Sequence, residues 1–177
     1  VISHAAREGM GSEVIRPKPT AAKKVTPKES GEKVQRLLLT WISDYPRVYG
    51  QVKQYISPQD FTKELYSKVA EIMFRELEEG NFNPAAIISM FTEEEQQREV
   101  AQLFNTKLEH LGLESEEEAL QKRTEMEKAF HDIVMKVKQN SYEYHMENSG
   151  RDIEALSRAI TAKKELEVLA KTHISLE

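Results

Sequence analysis

Residues 57–80 read SPQDFTKELYSKVAEIMFRELEEG, and they decide the fold class. Ser57 offers an N-cap oxygen, Pro58 suits a first helical position, and Asp60 puts a negative charge in the first turn. Behind them Phe61, Leu65, Val69, Ile72, Met73 and Leu77 recur at the spacing of one helix face, and Gly80 is placed to close the end. Downstream the same grammar repeats. Asn83-Pro84 opens a short helix through Ile87, Ile88 and Phe91, and Thr92 with Glu95 forms a capping box ahead of Val100, Leu103, Phe104, Leu108 and Leu111. Gly112 ends that helix. Upstream, from Glu32 onward, Val34, Leu37, Leu38, Trp41 and Ile42 form another stripe. Pro46 pushes Tyr45 out of helical geometry, and a shorter helix follows through Val48, Val52, Tyr55 and Ile56. No segment alternates like a strand, so the expected fold is all-α.

The last third carries a longer signal. Ser115 and Glu118 make a further capping box, and helical pattern runs to about Glu147 without Gly or Pro. Met126, Phe130, Ile133 and Val137 give it one seam, with Tyr144 seven residues beyond; a bend, if any, is expected at Asn140-Ser141. Asn148-Ser149-Gly150 is a turn, and a final helix from Asp152 carries Leu156, Ile160, Leu166 and Leu169. A long helix turning back into a charged one reads as a hairpin standing off a compact multi-helix bundle.

Charge divides the chain. Residues 1–33 hold seven Lys+Arg against four acids, net +3, with Pro17, Pro19 and Pro27, whereas residues 34–177 are net −8. The expected organisation is a basic, partly disordered Pro/Lys-containing linker over residues 1–33, a helical bundle over 34–114, and the long helix with its C-terminal hairpin over 115–177. The chain of 177 residues begins at Val1 and reads as a piece of something larger. Without cysteine there is no disulfide, thiolate zinc site or cysteine nucleophile. No apolar run approaches the ~18 residues needed to span a bilayer, so a cytoplasmic protein with no membrane partner is expected.

Signs of catalysis are few. None of His4, His110, His131, His145 and His173 has a Glu three residues before it, as a di-iron bundle requires. Gly9-Met10-Gly11 is too short for a phosphate cradle, and His131-Asp132 lacks a second His/Asp pair, so it marks a helix edge. The triplets Glu93–Glu95 and Glu116–Glu118 sit in first helical turns, where acids complement the dipole. Trp41 lies on an apolar stripe in an acidic domain, which points to core packing and away from base stacking; no direct nucleic-acid binding is expected. Catalytic, cofactor and metal residues are expected to be absent from this piece.

The order of motifs carries a family resemblance. Arg36-Leu37-Leu38-Leu39, Tyr45-Pro46-Arg47-Val48 and Tyr55-Ile56-Ser57-Pro58-Gln59-Asp60-Phe61 follow in turn. They are succeeded by the helix to Glu79-Gly80, Asn83-Pro84 with its apolar helix, and the Glu-rich helix ending in Leu108. This resembles the helicase-binding domain at the C-terminus of bacterial DNA primase, over about residues 34–177, with the Lys/Pro segment similar to that family's interdomain tether. The bundle is also similar to the N-terminal domain of the replicative helicase. The resemblance implies a protein-interaction domain whose terminal hairpin docks on the N-terminal collar of the hexameric replicative helicase. It would recruit primase to the fork and modulate both proteins, so that RNA primers are made on single-stranded template. The zinc and magnesium of the parent nucleotidyltransferase would belong to the missing N-terminal part. Carried onto this chain, the docking residues would be Ile153, Leu156 and Ile160 as anchors with Arg151, Arg158, Lys163 and Lys164 at the rim. Alternatively the same apolar residues would close the hairpin against Val137 and Tyr144, and the sequence does not decide which of them point outward. A structural oligomerisation domain, pairing through the helix over 115–147, is the alternative from another class.

Overall fold

In a computed structural model, the described residues are 26–106, 116–150 and 152–176; they form seven α-helices with no strand among them. Helix α1 spans Pro27–Asp44, α2 Tyr49–Val52, α3 Glu64–Glu79, α4 Pro84–Ser89, α5 Glu94–Asn105, α6 Glu116–Glu147 and α7 Ile153–Leu169. Three-residue 3-10 turns at Pro46–Val48 and Pro58–Asp60 precede α2 and α3.

Local chemistry accounts for most ends. Asn83 caps α4, its Oδ1 accepting from Ala85 N at 3.1 Å and Ala86 N at 3.3 Å. Gly80 closes α3 with φ +74°, a conformation in which a Cβ would be strained. Tyr45, before Pro46, leaves helical geometry at ψ 69°.

Three expectations need correction, and one open point is decided. The first helix begins at Pro27 rather than near Glu32, so a boundary at residue 33 falls inside α1. Thr26 and Glu29 form a capping box, Glu29 N to Thr26 Oγ1 at 3.2 Å and Thr26 N to Glu29 Oε2 at 2.9 Å, which outweighs the Gly31 that follows. The helix expected from Pro58 is broken in two. Asp60 turns back to accept from Ser57 N at 2.9 Å, and Phe61 is extended at ψ 105°, so α3 starts only at Glu64. The box expected at Thr92 does not form; Glu93 is the N-cap of α5 and makes no side-chain cap bond. Finally, α6 runs unbroken through Asn140 and Ser141, because Ser141 is fully buried and donates to Asp60 Oδ1 at 2.7 Å. The features expected at Leu108, Leu111, Gly112 and Ser115 lie outside the described residues, as does Gly9-Met10-Gly11.

The long helix is no stalk. Its 32 residues span about 48 Å, and its middle packs on α1, which also touches α3 and α5. Leu38, Leu39, Trp41 and Ile42 from α1 share one core with Met73 and Phe74 from α3, Leu103 from α5, and Phe130, Val134 and Val137 from α6. The rings of Trp41 and Phe130 lie 5.3 Å apart between centroids, which fixes Trp41 as a packing residue. Each of these large side chains contributes roughly 1.5–3 kcal/mol by burial. The core therefore continues across residue 114 instead of ending there. Two polar residues on α1 are buried with partners: Thr40 donates to Leu103 O at 3.0 Å, and Gln35 bridges Thr62 Oγ1 at 2.8 Å and Lys63 N at 3.2 Å.

Candidate functional site

α7 is anchored at its start by Asp152, whose Oδ1 accepts from Glu154 N at 2.9 Å and Ala155 N at 3.4 Å. Two sets of residues on it share a helical period, and packing chooses between them. Ala155, Ala159, Ala162 and Leu169 are buried on the side that packs against α6. Ile153, Leu156 and Ile160 face solvent, with 83%, 43% and 49% of their surface exposed. Small residues let two helix backbones approach closely, so the alanines close the hairpin and the larger aliphatic side chains are excluded from it.

The residues expected at the rim are distributed as follows. Lys163 and Lys164 are exposed and form no ion pair among the described residues, whereas Arg158 pairs with Glu154 one turn earlier on α7. Arg151 lies outside the described residues. Across the turn, Tyr144 and Met146 of α6 are also exposed, and His145 between them is buried with Nε2 3.4 Å from Gln59 O. A row of solvent-facing apolar side chains on a helix whose inner face is mostly alanine is suited to burial against a second protein.

Beneath this surface is a joint that local pattern does not reveal. Lys138 of α6 is 3% exposed, and its ammonium lies 3.1 and 3.0 Å from Oδ1 and Oδ2 of the buried Asp60, while also pairing with Glu165 of α7. Ser141 Oγ and Ser57 N satisfy the remaining lone pairs of Asp60. One cation thus joins three elements: the 3-10 turn before α3, the long helix, and the hairpin. A cavity of about 180 Å³ adjoins it, lined by Ser57, His145, Arg158, Thr161 and Glu165 among others.

The segment after α7 is fastened separately. Ile174 is buried, and the Gln51 side-chain amide donates to Ser175 O at 2.6 Å and accepts from Ser175 N at 2.9 Å. The Glu127 carboxylate of α6 accepts from Leu176 N at 3.1 Å and Ser175 Oγ at 3.2 Å, and pairs with His173 at 3.2 Å. Burial pushes the Glu127 carboxyl up, yet these bonds with His173 and Arg123 outweigh it and hold it below the ordinary carboxylate range. Nearby, His131 Nε2 donates to Leu169 O at 2.7 Å, so His131 ties α6 to the last turn of α7. A second buffered carboxylate lies in the bundle. Glu99 is raised by burial but lowered further by Lys63, Tyr66 and Arg36; Lys63 Nζ and Tyr66 Oη each lie 2.6 Å away.

Sequence reasoning singles out Ile153, Leu156 and Ile160 without deciding whether they face outward or close the hairpin, and it passes over the alanines and the Lys138 joint; in the structure the three are exposed. The alanine signal was present as steps of four and three from Ala155 to Ala159 to Ala162. No helix among the described residues is long and apolar enough to cross a membrane. No protein-family model, curated protein or solved structure matches this chain.

Proposed function

We propose that this chain is a protein-interaction domain that recruits a bacterial DNA primase to the hexameric replicative helicase, with α7 as its docking element. The observation that carries this reading is the inversion of α7: alanines inward, Ile153, Leu156 and Ile160 outward. A helix that leaves three large apolar residues in water is one whose apolar face belongs to a second surface. Lys163 and Lys164, free of intramolecular ion pairs among the described residues, supply a basic rim that favours an acidic counterpart on the helicase collar. Tethering of this kind raises the local concentration of a primer-synthesising enzyme at extruded single-stranded DNA without any new contact to the DNA. The zinc-binding and metal-dependent polymerase parts belong, in this proposal, to the parent protein, and the domain itself contributes binding alone. The alternative, self-pairing through α6, draws less support. The seam it needs, Met126, Phe130, Ile133 and Val137, is packed into the protein's own core.

The test is a calorimetric titration of the protein into the hexameric helicase at two salt concentrations, repeated with the double variant Ile153→Ser/Ile160→Ser. Saturable binding that weakens modestly with salt is expected, with the variant at least about tenfold weaker and its circular dichroism unchanged. Failure of the folded protein to bind, or equal affinity of the variant, overturns the proposal.

A further inference from the structure

α7 is held on the molecule in an unusual way. Its packing is against α6, and over its first three turns the side chains it buries are those of alanines, which contribute little apolar surface of their own. The rest of its attachment combines two apolar anchors, Leu169 and Ile174, with polar contacts at defined points. Glu165 pairs with Lys138, His131 holds the Leu169 carbonyl, and the Gln51 and Glu127 clasps hold residues 173–176. The chain enters α7 through an exposed turn at Asn148–Gly150, where Gly150 has φ +39°.

The shared ammonium has a property that a simple ion pair lacks. Removing one partner from a buried pair leaves a stranded charge, which makes such joints resist opening. Lys138, however, has two carboxylates. If α7 lifts away, Glu165 goes into water, while Lys138 keeps both oxygens of Asp60, and Asp60 keeps Ser141 and Ser57. No buried charge is orphaned in either position. The closed position is favoured because opening exposes Leu169 and Ile174.

We infer that α7 is a releasable flap, lifting from α6 as a unit about the Asn148–Gly150 turn while α1 to α6 stay folded, with Lys138–Glu165 and the residue 173–176 clasp as its fasteners. A partner gripping the Ile153, Leu156 and Ile160 face then acts on an element that can move without unfolding the bundle. That regulatory consequence rests on the docking proposal; the opening itself does not.

Residue-resolved amide hydrogen exchange on the free protein, over a urea series below the unfolding transition, tests the opening. The α7 amides are expected to exchange faster than those of α1 and α3 and with a smaller urea dependence, the mark of a sub-global opening. Glu165→Gln should accelerate α7 exchange about tenfold or more, and Gln51→Ala should accelerate it from the tail end, with α1 and α3 changed by less than about twofold. The inference is overturned if α7 and α1 share one urea dependence, if Glu165→Gln leaves α7 unchanged, or if it accelerates all helices equally. Because no helicase is present, each of these outcomes leaves the docking proposal to its own test.

Discussion

Lys138→Met is the substitution whose cost the structure defines most closely. Methionine retains most of the aliphatic stem and removes only the ammonium, so packing around the stem is little altered. What is lost is, among the described residues, the one cation contacting a carboxylate that is 4% exposed. Removing one partner of a buried ion pair costs about 3–5 kcal/mol. Two features place this case near the lower end: Asp60 keeps its bonds from Ser141 and Ser57, and Glu165, with 28% of its side chain exposed, is able to turn to solvent. The expected loss is therefore about 3 kcal/mol, a fall of roughly 6–12 °C in Tm for a chain of this size. Urea unfolding followed by circular dichroism measures it, as a lower midpoint at unchanged slope. Adding Asp60→Asn removes the stranded charge and should restore at least about 1.5 kcal/mol, since the cost lies in the unpaired anion. A single variant within about 1 kcal/mol of the parent, or a double variant no better than the single, refutes the reasoning.

Two further outcomes are expected. Gly31→Ala should stabilise the protein by up to about 1 kcal/mol, read as a higher urea midpoint, because α1 gains helix propensity. The new Cβ would meet Asn140 Nδ2 at 3.3 Å, and that amide nitrogen has no hydrogen bond to lose by shifting; a lower midpoint would mean it cannot yield. Stability should also depend on acidity. Glu127 and Glu99 are both held below the ordinary carboxylate value of 4.5, so their contributions are complete above that pH and are lost as it falls through the folded-state values. Urea midpoints measured from about pH 6 to about pH 3 should decline, and Glu127→Gln should flatten part of the decline; an identical pH profile in the variant would contradict the clasp at residues 173–176.

The all-α class, the helix ends at Gly80, Asn83-Pro84 and Asp152, and the interruption at Tyr45-Pro46 follow from the sequence alone. Each depends on side chains acting within one or two turns, where spacing and capping chemistry are sufficient. The early start of α1 was equally legible, since Thr26 and Glu29 have capping-box spacing. Gly31 and the surrounding charge mask it.

Tertiary structure alone decided the rest. On α7 the alanine set and the aliphatic set satisfy the same period, so periodicity cannot say which one faces α6; the close approach of two backbones does. Asp60 reads locally as a helix-starting acid, and it does serve Ser57, but its burial is decided by Lys138, 78 residues away, and by Ser141, 81 residues away. Lys138 in turn reads as a wet lysine on an amphipathic helix. A charge is stable inside only where oppositely charged groups from distant segments converge, and such convergence leaves no mark in local spacing. The sequence by itself thus determined which segments are helical. The packing of α6 and α7 determined which face of the hairpin is left exposed.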